Sequence, residues 1–244
     1  MPAFEAVEGM PYWQDLATTD TAKSAYFYAT LLGWKVEDLF ARKDGLPVAG
    51  FVPQDDDVWV TYFLLRGAGD IEKLGGKVLA ETDVALGRMT LCADPAGAMF
   101  GLIDPAGEER FVAAGEPGTP VWREYVAGYK GRECIDFYAE LFDWEVREED
   151  GYYLALHDGA PFLGMRVEED MEMTGFWETY FGVADVQDAA RRAPELGGEV
   201  LLGPELSPFG PLAVVADANG ATVTLCEIDA PVEEGDEAES LFDL

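Results

Sequence analysis

A chain of 244 residues, 49% hydrophobic and 12% aromatic, can fill the cores of one or two domains, and general disorder is excluded. Acidic residues number 48 against 16 lysines and arginines, a formal net charge of -32, so nucleic acid and anionic membrane would both be repelled and neither is expected as a partner. This acid excess resembles that of proteins kept hydrated and soluble at high salt.

From the N-terminus, residues 1–10 carry neither a cationic start nor an apolar core, and a cytoplasmic location is expected. Residues 12–18 alternate as a strand. Asp20 then offers a helix N-cap, Ala22, Ala25, Tyr26 and Ala29 mark one helical face, and Gly33 closes it. Short strands are expected over 34–41 and 46–52, separated by the turn Lys43-Asp44-Gly45, and a further strand over 59–65. A brief helical piece over 70–74 precedes strands 88–93 and 99–103, which flank the hairpin turn Asp94-Pro95-Ala96-Gly97.

Beyond Glu116-Pro117-Gly118 the order starts again. Pro11-Tyr12-Trp13 is answered by Pro120-Val121-Trp122, Phe27-Tyr28 by Phe137-Tyr138, Trp34 by Trp144, Trp59 by Trp177, Leu74-Gly75-Gly76 by Leu196-Gly197-Gly198, and Asp94 by Asp217. The second copy is expected to place strands at 144–148 and 152–157, a strand at 177–183, a helix at 186–196 capped by Asp185, and strands at 212–216 and 222–228. The chain therefore reads as two homologous α+β domains, 5–108 and 117–230, followed by an acidic, disordered tail over 231–244. Cys92, Cys134 and Cys226 form no CxxC pair and read as buried free thiols.

Trp-x-[Asp/Glu] on the first strand, Phe-Tyr before Leu-Leu-Gly-Trp, Leu-Gly-Gly, and Asp-Pro-x-Gly-Ala-x-Phe, in this order and largely repeated, resemble the vicinal oxygen chelate superfamily. That superfamily includes glyoxalase I, bleomycin-resistance proteins and extradiol dioxygenases, and the likeness is greatest to its two-domain glyoxalase-like branch. The resemblance implies tandem glyoxalase-like domains, each of two βαβββ modules, four in all, with each domain curling around a cleft. It also implies metal-ligand positions: seven residues before each helix-capping acid and seven after each hairpin Asp. Here these hold Trp13, Val60 and Gly101 in the first domain and Trp122, Glu178 and Thr224 in the second. One carboxylate and no histidine cannot make a catalytic metal site, so neither metal nor other cofactor is expected. His157 lies outside these positions and reads as a half-buried strand residue.

Strand alternation puts Asp15 with Trp13, Glu124 with Trp122, Tyr62 with Val60 and Tyr180 with Glu178 on the same cleft faces. The two tryptophans either line ligand clefts or plug vestigial ones. The first functional reading is a metal-free protein enclosing one flat aromatic or cationic small molecule in each cleft, through Trp13, Asp15, Val60, Tyr62 and Gly101, and through Trp122, Glu124, Glu178, Tyr180 and Thr224. The second is a glyoxalase-like lyase or isomerase acting on a small carbonyl compound, with Glu178 as catalytic base. Four modules supply both clefts within one chain, so monomer and homodimer are both compatible.

Overall fold

The computed structural model describes residues 3–5, 7–67, 70–106, 111–208 and 210–229; the tail over 231–244 lies outside them. The chain runs β1 (Ala3–Glu5), β2 (Pro11–Thr18), α1 (Thr21–Leu32), β3 (Lys35–Glu37), β4 (Phe40–Lys43), β5 (Leu46–Pro53), β6 (Val58–Leu64), β7 (Lys77–Val84), β8 (Gly87–Ala93) and β9 (Met99–Pro105). After β10 (Phe111–Ala113) come β11 (Pro120–Ala127), α2 (Gly131–Leu141), β12 (Glu145–Glu149), β13 (Tyr152–His157), β14 (Ala160–Val167), β15 (Phe176–Val183), α3 (Val186–Glu195), β16 (Glu199–Ser207), β17 (Gly210–Ala216) and β18 (Thr222–Glu227). Two eight-stranded sheets result, ordered β3-β4-β5-β2-β6-β9-β8-β7 and β12-β13-β14-β11-β15-β18-β17-β16. Each is a pair of modules joined by the antiparallel pairing of its central strands, β2 with β6 and β11 with β15. The α+β tandem arrangement is as expected. A third, two-stranded sheet pairs β1 with β10.

Local chemistry explains the element ends. The Asp20 carboxylate accepts from the Lys23 amide at 3.1 Å and that of Asp185 from the Asp188 amide at 2.8 Å, while Gly33 ends α1 at φ 72°. The two-residue turns Asp44-Gly45, Asp150-Gly151 and Asp158-Gly159 all have positive φ at both positions, as tight hairpins require. Four expectations need correction. Residues 34–41 are not one strand, because Asp38 and Leu39 at φ 50° and 67° turn β3 back onto β4. Residues 70–75 form a single turn rather than a helix, with the Leu74 amide on the Asp70 carbonyl. Strands β1, β7, β10, β14 and β16 add to those expected from the sequence. In α1 the buried face is Ser24, Phe27, Tyr28, Leu31 and Leu32, whereas Tyr26 is exposed, because the larger side chains offer more apolar area than the alanine stripe.

The cores do not follow the repeat. Residues of β2, α1 and β5 pack with Phe181, Val183, α3, β17 and β18. Conversely Phe63, Cys92 and Phe100 pack with β11, α2, β14 and Trp177. The first module thus shares a core with the fourth, and the second with the third. Each layer is built on an aromatic cluster: Tyr28, Trp34, Trp59 and Phe181 in one, and Phe100, Tyr138, Trp144 and Trp177 in the other.

Polar contacts fix the same pairing. Asp94 accepts from the amides of Ala96, Gly97 and Ala98 in its own turn, and from the hydroxyls of Tyr125 and Tyr138 in the other repeat. Asp217 repeats the design, holding Asn219, Gly220 and Ala221 and accepting from Ser24 of α1 at 2.6 Å. Among the described residues, no helix is long and apolar enough to cross a membrane. Cys92, Cys134 and Cys226 are buried free thiols.

Candidate functional site

One face of each central strand pair packs into the cores shared with the other domain, and the expected site residues lie on the opposite face of their own sheet. In the first domain this opposite face carries Trp13 opposite Tyr62, Asp15 opposite Val60, and Gly101 beside Tyr62. The Trp13 indole donates to Asp15 Oδ1 at 2.8 Å, and the Tyr62 ring lies where any side chain at position 101 would stand. Met89 and Ile103 complete a buried cluster, flanked by Phe40, in which Trp13 is 4% and Asp15 8% exposed. These side chains pack on one another and leave little of this face open. Burial raises the Asp15 carboxyl from 3.8 to about 6, with hydrogen bonding from Trp13 and Tyr62 pulling the other way.

The second domain is lined differently. Glu124 stands opposite Glu178, Trp122 opposite Tyr180, and Thr224 beside Tyr180. Tyr152 donates its hydroxyl to Glu124 Oε2 at 2.6 Å and accepts from the Trp122 indole at 3.3 Å. Arg166, which also pairs with Glu168, donates through Nε to Glu124 Oε1 at 2.6 Å. Glu178 accepts from Thr224 through Oε1, and Oε2 receives no hydrogen bond from a described residue. Desolvation first, and then the Glu124 charge, raises the Glu178 carboxyl, against opposing effects of Thr224 and Arg166. Glu124 and Thr224 are buried, whereas Trp122, Tyr152, Arg166, Glu178 and Tyr180 are only half-buried.

The structure therefore brings together all the expected residues of each domain but gives the two sets different characters. It adds Tyr152 and Arg166 to the second. These lie on β13 and β14, which meet edge to edge in register at this pair, and Gly164 leaves room for the Tyr152 hydroxyl. The sequence signal that could have found Arg166 is the Asp158-Gly159 turn, which announces β14 after β13. His157 is exposed at the end of β13, beside Asp158, rather than half-buried.

The donor set does not fit a divalent transition metal. Among the described residues no three His, Cys, Asp or Glu side chains group as ligands, and Glu124, the second carboxylate facing this cleft, already has both oxygens engaged by Tyr152 and Arg166. Desalted protein is expected to carry no stoichiometric zinc, manganese, nickel or iron by elemental analysis; retention of one ion per chain would contradict this.

A family model described as a glyoxalase-like domain matches residues 129–226. The anthracycline biosynthesis protein DnrV of Streptomyces peucetius is 31% identical over 260 residues, covering 90% of this chain and 94% of its own. The chain belongs to the glyoxalase-like family. Its superfamily is the vicinal oxygen chelate superfamily, as the sequence motifs implied. CFP32 of Mycobacterium tuberculosis, provisionally named a glyoxylase, is 28% identical over 244 residues, covering 88% of this chain and 93% of its own. The fold matches that of the Mn(II)-bound glyoxalase of Novosphingobium aromaticivorans at a TM-score of 0.62 and 14% identity, over 90% of this chain and 82% of that one. Within this glyoxalase-like fold, the described side chains provide no counterpart of a three-ligand metal centre.

Proposed function

We propose that this glyoxalase-like protein binds a flat aromatic small molecule, neutral or cationic, in the cleft of its second domain and works there without a metal ion. The observation that carries this reading is the contrast between the clefts. In the first the side chains pack on one another, whereas the second sets half-buried Trp122, Tyr152 and Tyr180 around a carboxylate with one oxygen open to hydrogen bonding. Aromatic faces favour flat π-systems and cations, and two carboxylates against one guanidinium favour a cation over an anion. The Streptomyces relative's role in anthracycline biosynthesis supports a polycyclic aromatic ligand for this chain.

Titration with a hydroxyanthraquinone and with its dimethylaminoethyl derivative, read by tryptophan quenching, tests this. Trp122→Ala is expected to weaken both by about tenfold, the scale of one aromatic or cation–π contact. Trp13→Ala should leave affinity unchanged. Glu178→Gln should weaken the cationic probe about tenfold and the neutral one little. Equal affinities in wild type and Trp122→Ala would remove the cleft assignment. The same Glu178, raised in pKa and with Oε2 open, favours a second reading as an acid–base enzyme on a carbonyl compound. In that case Glu178→Gln would abolish turnover while a neutral substrate still bound.

A further inference from the structure

The faces of the central strands turned away from the clefts meet at the middle of the molecule, where β6 packs against β15. Gln14 stands opposite Thr61 on β2 and β6, and Arg123 opposite Thr179 on β11 and β15. All four are buried, Arg123 to 6% exposure. The guanidinium donates through Nη1 to the Trp122 carbonyl at 3.1 Å and through Nη2 to Gln14 Oε1, while Gln14 Nε2 donates to the Val48 carbonyl at 3.1 Å. Arg123 Nε, Thr61 Oγ1 and Thr179 Oγ1 are shielded from solvent and have no hydrogen-bond partner among the described residues. No carboxylate there pairs with the guanidinium, and burial alone lowers its pKa to about 9.

A fixed cation inside a protein needs compensation, and an unpaired buried donor costs stability. The one charged group in this quartet is positive, its three unpaired atoms are an N–H donor and two hydroxyls able to donate, and the Arg123–Gln14 hydrogen bond together with the two strand pairings sets the four side chains beside one another between the sheets. A water molecule would satisfy hydrogen bonds but leave the charge uncompensated. We propose that Arg123, Thr61 and Thr179 hold a single halide ion, chloride under ordinary conditions, at the junction of the two domains, and that the ion stabilises the folded chain. This proposal concerns the face opposite the second-domain cleft and is independent of what that cleft binds.

Crystals of the full chain soaked in sodium bromide should show an anomalous peak within hydrogen-bonding distance of Arg123 Nε, between the two threonines. The melting temperature should rise by about 3–6 °C when chloride replaces methanesulfonate at constant ionic strength, following the mass-action gain of an ion bound only by the folded state. Holding ionic strength fixed removes the general screening that a net charge of -32 brings. Arg123→Met should abolish the chloride-specific rise, and Thr61→Val with Thr179→Val should diminish it. Absence of the bromide peak, with or without an ordered water in its place, would overturn the proposal. So would a chloride increment that survives in Arg123→Met. If that variant does not fold, the bromide experiment on the wild-type chain decides alone.

Discussion

Asp94→Ala is expected to cost about 3–5 kcal/mol of folding stability, the range for removing one partner from a buried, charge-assisted network. The Asp94 side chain is 3% exposed and serves both sides of the inter-repeat boundary: three amides of the 94–98 turn on one side, and the Tyr125 and Tyr138 hydroxyls on the other. An alanine would strand those two phenols among Phe100, Phe137 and Trp177, where water cannot reach them. Asp217→Ala should cost less. Its partner Ser24 also contacts Thr18 and the Asn219 amide, so the hydroxyl retains hydrogen bonds after the change. Urea unfolding of the two variants checks the order, and a loss below about 1 kcal/mol in Asp94→Ala would contradict the role assigned to it.

Asp15→Asn is expected to do the reverse and stabilise the protein at neutral pH. The carboxyl titrates near 6 in the folded chain against 3.8 for the free group, so between those values the folded state holds more of the proton than the unfolded state. Stability therefore falls as pH rises from about 4 to about 6, and above that the buried charge costs about 3 kcal/mol at 1.36 kcal/mol per unit. Asparagine keeps an oxygen for the Trp13 indole and carries no charge. The variant should be more stable than wild type by up to this amount at pH 7 and about equal to it below pH 4. Denaturant melts at pH 4 and pH 7 give the comparison. A gain of the same size at both values would mean that ionisation of Asp15 is not the cause.

The elements legible in the sequence were those whose cause is local: Asp20 and Asp185 as caps, Gly33 as a stop, and the tryptophan strands with their duplicated spacing. Strands β7 and β16 escaped because both are sheet edges whose mostly exposed side chains show no sustained alternation. Strand β14, although internal to its sheet, carries Pro161 and Gly164, residues that argue against a strand on propensity alone. Counting from the caps and hairpin acids picked out residues that strand register places beside one another in each sheet. It could not show that Phe40, Met89 and Ile103 close over those of the first domain, because closure depends on residues brought in from three other strands. Nor could it show that Arg166 neutralises Glu124, a pairing that exists only once β14 lies beside β11.

The cross-paired cores bear on how a duplicated chain diverges. Phe27 and Phe137, Tyr28 and Tyr138, Trp34 and Trp144, Trp59 and Trp177 all lie in the two shared layers, where a change in one copy must be absorbed by side chains of the other. The opposite faces of the sheets are under no such mutual constraint. There Val60 stands against Glu178 and Gly101 against Thr224, each difference contained within its own sheet. Drift is thus restrained where the copies touch and released where they do not. Met89, Ile103 and Phe40 close over the first of these faces while Trp122, Tyr152 and Tyr180 stay half-buried on the second, and neither arrangement draws on the shared cores that hold the halves together.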